Sequence, residues 1–292
     1  MRQTGNIREG LVQDLKTALF AASMTFFIVT SGDAFGQINA ASVGKGDASI
    51  DFEAGFIRLS DLSSSDAKPV PLADRMQHYR VPAMAVAVID KGEVSRLKGY
   101  GTLSANSPDL VDADTVFSAG SVSKIVIAAL VLRLVQDGKL DLDADIRTYL
   151  RSWSVPASPY IEKTPITLRH LLSHSSGFSQ HGYPDIKPGK ALPTAQQTLN
   201  GERPAKTRPI KIQFEPGTQM DYSGGGVTVT QIIVEDVTGM RYSDAAKAHV
   251  FTPLNMHRST FKNPLPEAHG NIAKALDKKG RPRALPRGYE SM

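Results

Sequence analysis

The sequence of 292 residues contains no cysteine and a single tryptophan. Without cysteine the chain forms no disulfide, no thiolate metal site and no lipid attachment through a thiol. Hydrophobic residues make up 41% of the chain and charged residues 22%, a balance typical of a globular domain and unlike that of a disordered chain. We therefore expect a domain that is stable through its hydrophobic core alone.

The apolar stretch near the N-terminus is too short to span a bilayer comfortably. It covers residues 17–30, follows Arg2, Arg8 and Lys16, and is followed by small residues suited to a cleavage site in Ala34-Phe-Gly36. This pattern predicts a signal peptide over residues 1–36 and a periplasmic or secreted protein. An uncleaved anchor is the alternative, and contact with a membrane is expected only in that case.

A nucleic-acid partner is not expected, although the formal net charge is +5. The basic residues that cluster near the C-terminus have no aromatic stacking partners and no recognition motif beside them. They predict a solvated surface, or attraction to anionic cell-wall polymer or lipid headgroups. The cluster consists of Lys274, Lys278, Lys279, Arg281, Arg283 and Arg287.

Composition divides the chain after the leader into two parts. Residues 37–67 are rich in Gly, Ser, Asp and Ala and predict a flexible lead-in, whereas residues 68–292 predict one domain. A helical subdomain is expected over about 139–225. Other predicted elements are a helix from Leu72 to Tyr79, a hairpin of residues 83–90 and 93–101 about Lys91-Gly92, short helices within 140–176 and a long surface loop from Gly182 to Pro209.

A serine three residues before a lysine stands at the predicted start of an apolar helix, in the run Phe117-Ser-Ala-Gly-Ser-Val-Ser-Lys124. The helix is expected to begin near Ala119, with Ser118 as an N-cap candidate, and to end at Gly138. Residues i and i+3 share a helix face, so Ser121 is expected beside Lys124. A serine becomes a nucleophile when a neighbouring base takes its proton, and the helix N-terminus suits an oxyanion. A chance match to this short pattern is the alternative.

A tyrosine follows a turn in the run Glu215-Pro-Gly-Thr-Gln-Met-Asp-Tyr222-Ser-Gly-Gly-Gly226, before a predicted helix from Val227 to Val237. A phenol near an ammonium group is partly ionised, and a phenolate is a competent general base. Tyr222 is therefore a candidate catalytic residue. A packed core aromatic is the alternative.

His170 and His174 have the i, i+4 spacing of helical metal ligands. The zinc-protease pattern needs a glutamate after the first histidine, and Leu171 stands there. We expect no metal and no organic cofactor, and we expect this pair to pack a helix against the turn at Ser175-Ser-Gly177.

Taken in order, the Ser121 and Tyr222 runs and the intervening Ile166-Thr-Leu-Arg-His-Leu-Leu-Ser-His-Ser-Ser-Gly177 resemble class C β-lactamases and penicillin-binding-protein-like serine hydrolases. The resemblance implies an α/β (α+β) fold, in which helices flank an antiparallel sheet and a mainly helical subdomain adjoins it. It further implies that Ser121 is the acylated nucleophile, Lys124 its proton acceptor and Tyr222 the relay to the leaving group or to water.

The sequence departs from this family in two ways. The family's tyrosine motif is commonly Tyr-x-Asn, and Gly224 takes the third position, which removes an amide that would hold the acyl side chain of a substrate. The family's Lys/His-x-Gly motif has no counterpart after the tyrosine, because Lys278-Lys-Gly280 is predicted to be a hairpin turn. We therefore expect the C-terminal strands to be missing and the chain to be a truncated form.

The predicted function is hydrolysis of small carboxylic esters or amides through an acyl-enzyme, with β-lactams and D-alanyl peptides as close alternatives. Expected partners are therefore small-molecule ester, amide or β-lactam substrates, with peptidoglycan as an alternative. An inactive truncated homologue and a protein that binds cell-wall fragments are the alternatives from other classes.

Overall fold

The computed structural model describes residues 53–57, 64, 66–104, 107–187, 189–277 and 281–283. They belong to two compact units, of which the first ends at Gly101 and the second begins at Thr102. The predicted signal peptide, most of the predicted lead-in and Lys278-Lys-Gly280 lie outside the described residues.

The first unit consists of a short helix and a hairpin. Helix α1 spans Leu72–His78, and strands β1 (Ala83–Asp90) and β2 (Glu93–Gly101) pair antiparallel with a bulge between Val88 and Ile89. The predicted helix and hairpin are thus confirmed. Their signals are local, since a helix ending before a Val-Pro step and alternating residues about a Lys-Gly turn depend on nothing distant.

Helices dominate the second unit. A 3₁₀ turn at Gly120–Val122 leads into α2 (Ser123–Gln136), and further 3₁₀ turns lie at Ile146–Thr148, Pro159–Ile161 and Glu267–His269. The remaining elements are α3 (Leu168–Leu172), α4 (Ala195–Asn200), α5 (Gly224–Thr238), α6 (Tyr242–Ala246), a π-helical turn (Lys247–Phe251), and β3 (Ala275–Leu276) paired antiparallel with β4 (Pro282–Arg283). Helices and antiparallel strands together confirm the predicted α+β class.

Helix α5 is the centre of the second unit's core. Ten of its residues between Gly224 and Val234 are buried, and the side chains of Val229, Ile232 and Ile233 are fully inaccessible to solvent. A helix that is buried over most of its length is stable only inside a core, and α2, α3, α4 and α6 supply its neighbours. The threonines of α5 are buried without penalty because their hydroxyls donate to carbonyls one turn earlier, as Thr230 does to Gly226 at 3.0 Å.

The predicted helix after Ser121 is confirmed in position but differs at its start and on its surface. Ser118 is not the N-cap, because the first turn is 3₁₀ and the Val122 N–H donates to the Ala119 carbonyl, a backbone acceptor, at 3.1 Å. The helix is also not buried throughout, since Ile125 is 55% exposed. Its end is as predicted, with Gly138 at a φ of +69° directly after the last turn.

The prediction of a surface loop from Gly182 to Pro209 is wrong in part. Helix α4 lies within it, and Thr198 and Leu199 are buried. Thr194 and Gln197 form a capping box, the reciprocal side-chain pairing that nucleates a helix start. The Thr-x-x-Gln spacing of these two residues is the sequence pattern that could have predicted this helix. The short helices expected within 140–176 are confirmed, whereas the helical subdomain as a unit stays a prediction.

No helix in the described ranges is long and apolar enough to cross a membrane.

Candidate active site

Ser121 lies in the 3₁₀ turn that opens α2, and it is exposed. Gly120 immediately before it adopts a φ of +50°, a conformation that side chains disfavour, so the chain turns sharply into the helix at this point. One turn later Lys124 donates from Nζ to Ser121 Oγ at 3.1 Å. The predicted proximity of the serine and the lysine is confirmed.

Tyr222 approaches the same hydroxyl from a distant part of the chain. Its phenol oxygen and Ser121 Oγ share a hydrogen bond of 2.8 Å. Lys124 Nζ lies 5.0 Å from the centroid of the Tyr222 ring. The structure therefore gathers all three predicted catalytic side chains around one oxygen atom.

The stem of Lys124 is held in an apolar environment between helices. It lines a cavity of about 30 Å³, and the other lining residues are Ile127, Ala128, Leu171, Leu172, His174, Val227 and Thr230. An apolar wall raises the strength of charge interactions at the ammonium group, because less water screens them.

The pKa of the Tyr222 phenol lies below its ordinary value. Partial burial of the ring raises the pKa, but hydrogen bonding to Lys124 and Ser121 and the positive charge of Lys124 together outweigh burial. These groups favour the phenolate over the phenol. The tyrosine is thus prepared to take a proton from the serine hydroxyl.

Backbone hydrogen bonds join the segment 174–180 to the segment 211–225 and so place the tyrosine. Donor and acceptor pairs are Ser179 to Lys211, Gln213 to Gly177, Gly217 to Ser175, Asp221 to His174 and Gly225 to Gln180, each at 2.8–3.0 Å. Gly177 has a φ of +79°, and a Cβ there would lie 2.4 Å from the Phe214 carbonyl oxygen. Glycine is therefore required where the two segments approach.

Helix α5 begins at Gly224, earlier than the predicted start at Val227, and the glycine run forms its first turn. Ser223 caps it by accepting from the Gly226 N–H at 2.9 Å, while its own hydroxyl donates to the Ser179 carbonyl at 3.0 Å. Three glycines predict poor helix, but a Cβ on Gly225 would meet the Ser179 carbonyl oxygen at 2.6 Å. Close packing overrides the helix propensity here.

Gly224, the position that commonly carries asparagine in the resembled family, is buried two residues after Tyr222. A Cβ there would lie 3.0 Å from the His181 carbonyl oxygen and 3.3 Å from the Tyr183 ring. The missing amide thus coincides with a neighbouring segment that packs tightly against the helix start.

The two predicted helix-packing histidines do not share a helix. Helix α3 ends at Leu172, and His174 adopts a φ of +56° beyond it. His170 stays on the helix and closes a capping box with Thr167. Among the described residues no three His, Cys, Asp or Glu side chains gather as metal ligands would.

Sequence reasoning missed that histidines surround Tyr222. The ring of His174 lies 4.5 Å from the Tyr222 ring between centroids, and the ring of His181 lies 4.8 Å from it. Tyr222 is more than 40 positions from either histidine in sequence and reaches them through the pairing of the segments 174–180 and 211–225. No local sequence pattern predicts such a contact.

A second set of contacts holds the chain that leads into Ser121. Val116 donates to the Asn271 carbonyl at 2.9 Å and accepts from the Ala273 N–H at 3.0 Å, forming a parallel bridge. Arg258 donates to the carbonyls of Asp114, His269 and Gly270 at 2.6–3.1 Å. One guanidinium thereby bonds both to the segment that precedes Val116 and to the segment that precedes Ile272.

Fold and site together define a class of α+β proteins in which a serine, a lysine and a tyrosine meet at the serine hydroxyl. This chain belongs to the β-lactamase family, since the family model described as Beta-lactamase matches residues 72–291.

Curated relatives include penicillin-binding proteins and an esterase. Penicillin-binding protein 4 of Amycolatopsis lactamdurans is 31% identical over 185 residues, covering 63% of this chain and 46% of the relative. Esterase EstB of Burkholderia gladioli is 29% identical over 217 residues, covering 71% of this chain and 54% of the esterase. The chain thus spans about half the length of these relatives.

Solved structures agree on the fold. The octameric penicillin-binding protein homologue from Pyrococcus abyssi superposes with a TM-score of 0.60 at 27% sequence identity, covering 75% of this chain and 49% of that one. The β-lactamase-like and transpeptidase-like architecture expected from the sequence is therefore confirmed.

Proposed function

We propose that this chain carries the nucleophile of a serine hydrolase that forms an acyl-enzyme at Ser121. The observation that carries the proposal is the meeting of Lys124 Nζ and the Tyr222 hydroxyl at Ser121 Oγ, at 3.1 and 2.8 Å. A nucleophile within hydrogen-bond reach of its base is the arrangement that covalent catalysis needs.

In the first half-reaction Ser121 Oγ attacks the carbonyl carbon of the substrate, and its proton passes to the Tyr222 and Lys124 pair. The carbonyl π electrons move to the oxygen, where the Ser121 backbone N–H in the 3₁₀ turn before α2 would stabilise the oxyanion. The oxyanion then collapses, the bond to the leaving group breaks, and the pair returns its proton to the departing oxygen or nitrogen.

In the second half-reaction a water molecule attacks the acyl carbon and gives a proton to the same pair. The second tetrahedral intermediate collapses, and Ser121 Oγ leaves and recovers the proton from the pair. An acid and the original enzyme result, without any other reactant.

Small carboxylic esters are the substrate class that we propose first. Gly224 offers no amide to an acyl side chain, so acyl groups that need no polar partner are favoured. The likeness to Esterase EstB supports this choice, and the likeness to Penicillin-binding protein 4 supports β-lactams or D-alanyl peptides as the second. Because the predicted leader is outside the described residues, a periplasmic or secreted location likewise stays a proposal.

A substrate panel tests the class. The purified protein is assayed with p-nitrophenyl acetate, butyrate and octanoate, with a chromogenic cephalosporin and with a D-alanyl-D-alanine peptide. We expect the highest kcat/KM with an ester and a loss of about 10²- to 10⁴-fold in Tyr222→Phe. Turnover of the cephalosporin or peptide above every ester would replace the ester proposal, and unchanged rates in Tyr222→Phe would remove the proton-transfer role.

A further inference from the structure

His174 forms hydrogen bonds with the backbone on both sides of Tyr222. Its carbonyl accepts from the Asp221 N–H at 2.8 Å, and its Nδ1 accepts from the Ser223 N–H at 3.3 Å. The residues directly before and after the tyrosine are therefore both bonded to this one histidine. The second bond depends on the side chain, whereas the first depends on the backbone alone.

The imidazole also contacts the tyrosine ring itself. The His174 and Tyr222 ring centroids are 4.5 Å apart with the planes inclined at 37°, and the His181 ring approaches Tyr222 at 4.8 Å and 49°. His174 additionally lines the small cavity beneath Lys124. The orientation of the phenol toward Ser121 is thus fixed by packing as well as by backbone bonds.

The bond from Ser223 sets the protonation state of His174. Nδ1 can accept this hydrogen bond only when the imidazole is neutral, so the ring proton belongs on Nε2. Burial lowers the pKa of His174, and the positive charge of Lys124 and the interaction with His181 lower it further. Lys124, His181 and Tyr222 are the titratable groups that face it. Protonation at acid pH would remove the acceptor and add a second cation beside Lys124.

We propose that His174 is a positioning residue whose neutral imidazole holds the Tyr222 hydroxyl against Ser121 by accepting the Ser223 N–H. This role rests on the proposed acyl transfer at Ser121. It predicts that the reaction depends on an imidazole that touches neither the substrate nor the serine.

Two substitutions separate the side chain from the backbone. Glycine adopts positive φ freely, so His174→Gly removes the imidazole without backbone strain, while asparagine tolerates the same conformation and places its Oδ1 near the position of Nδ1. We expect His174→Gly to lower kcat for p-nitrophenyl butyrate by about 10- to 100-fold with little change in KM, since a displaced catalytic group costs rate more than binding. His174→Asn should restore most of this loss.

The pH profile gives a readout that a merely structural residue would not move. In the wild type, log kcat/KM should steepen by about one further unit per pH unit below the pKa of His174, because a second group must then lose its proton. The steepening should be absent in His174→Asn, which does not titrate. His170→Asn, the matched control four residues earlier, should keep both the wild-type kcat and the steepening.

The outcomes are distinguishable from failure of the proposed function. If His174→Gly keeps the wild-type kcat, or if His174→Asn is as slow as His174→Gly at the same melting temperature, the positioning role is wrong. Retention of the acid steepening in His174→Asn contradicts it as well. If Ser121→Ala keeps the activity, or if the folded wild type neither turns over the ester nor reacts at Ser121, the proposed function is wrong. The positioning role of His174 is then wrong as well, because it depends on acyl transfer at Ser121.

Discussion

At the scale of single residues, the protonation of Tyr222 is set by Lys124 and Ser121 acting together against burial. The phenol is close to an ammonium group and to the hydroxyl that it serves, so its pKa is lowered from the ordinary value. A lower pKa means a larger phenolate fraction at any given pH. A reaction that uses the phenolate therefore gains rate as the pH rises through that pKa.

Removal of the lysine charge should reverse this shift. In Lys124→Met the pKa of Tyr222 is expected to rise, because the hydrogen bond and the charge are lost while the burial remains. Difference ultraviolet titration against Tyr222→Phe measures the phenolate directly. Lys139→Met, which removes an exposed lysine after the end of α2, is the matched control and should leave the titration unchanged. An unshifted titration in Lys124→Met would show that the lysine does not stabilise the phenolate.

Some residues of the site could be predicted from the sequence, and others could not. Ser121 and Lys124 could be paired from sequence because a helical spacing of three brings side chains together within one turn. Tyr222 was a candidate from its glycine-rich loop and phenol chemistry, and its role beside Ser121 came from the resemblance to a known family. His174 and His181 could not be assigned to the site, because their contacts arise from the pairing of two loops whose register no local signal encodes.

At the scale of elements, the start of α5 joins helix formation to the placement of the tyrosine. Ser223 is buried and bonded both to the helix and to the Ser179 carbonyl, so the cap of the helix also anchors the loop that precedes it. The sequence prediction placed this start too late because glycine lowers helix propensity. The contact that requires glycine is tertiary and was invisible in the sequence.

Two neighbouring glycines of α5 should respond differently to a methyl group. A Cβ on Gly225 would lie 2.5 Å from Ile210 Cδ1 and 2.6 Å from the Ser179 oxygen, whereas a Cβ on Gly226 would approach nothing nearer than 3.3 Å. Gly225→Ala is expected to lower the free energy of unfolding by about 1–3 kcal/mol through overpacking. Gly226→Ala should change it by less than about 1 kcal/mol, because helix propensity offsets a mild contact.

Urea unfolding of both variants measures the difference. Equal midpoints for Gly225→Ala and Gly226→Ala would mean that the segment 179–183 moves to accommodate the methyl group and does not pack tightly against the helix.

At the scale of the whole second unit, distant segments converge on the two loops that carry the site. The chain before Ser121 is bridged to residues 271–273, and the chain around Tyr222 is paired with residues 174–180. Short-range patterns predicted α1, the hairpin and α2, whose signals lie within one element. The bridges were beyond prediction because each joins residues roughly 30 to 160 positions apart, where no periodicity operates.

Arg258 is expected to be the principal side-chain support of the bridge before Ser121. Arg258→Met and Arg258→Lys should both lower the free energy of unfolding by about 1–3 kcal/mol, because neither side chain reproduces the planar fork that reaches several carbonyls. Amide exchange of Val116, whose N–H bonds to Asn271, should quicken in both variants.

Arg133→Met is the matched control, since Arg133 forms an exposed i, i+4 ion pair with Asp137. Such a pair contributes about 0.3–0.5 kcal/mol, so the unfolding free energy should change little and Val116 exchange not at all. If Arg258→Lys matched the wild type, charge rather than fork geometry would hold the bridge.

Acylation of Ser121 is the central claim, and intact mass spectrometry after reaction with a fluorophosphonate tests it most directly. We expect one adduct per chain in the wild type and in Ser118→Ala and Ser123→Ala, whose hydroxyls are not placed beside both Lys124 and Tyr222, and no adduct in Ser121→Ala. A cooperatively melting wild type that forms no adduct, or a Ser121→Ala protein that still forms one, would contradict the assignment of the nucleophile.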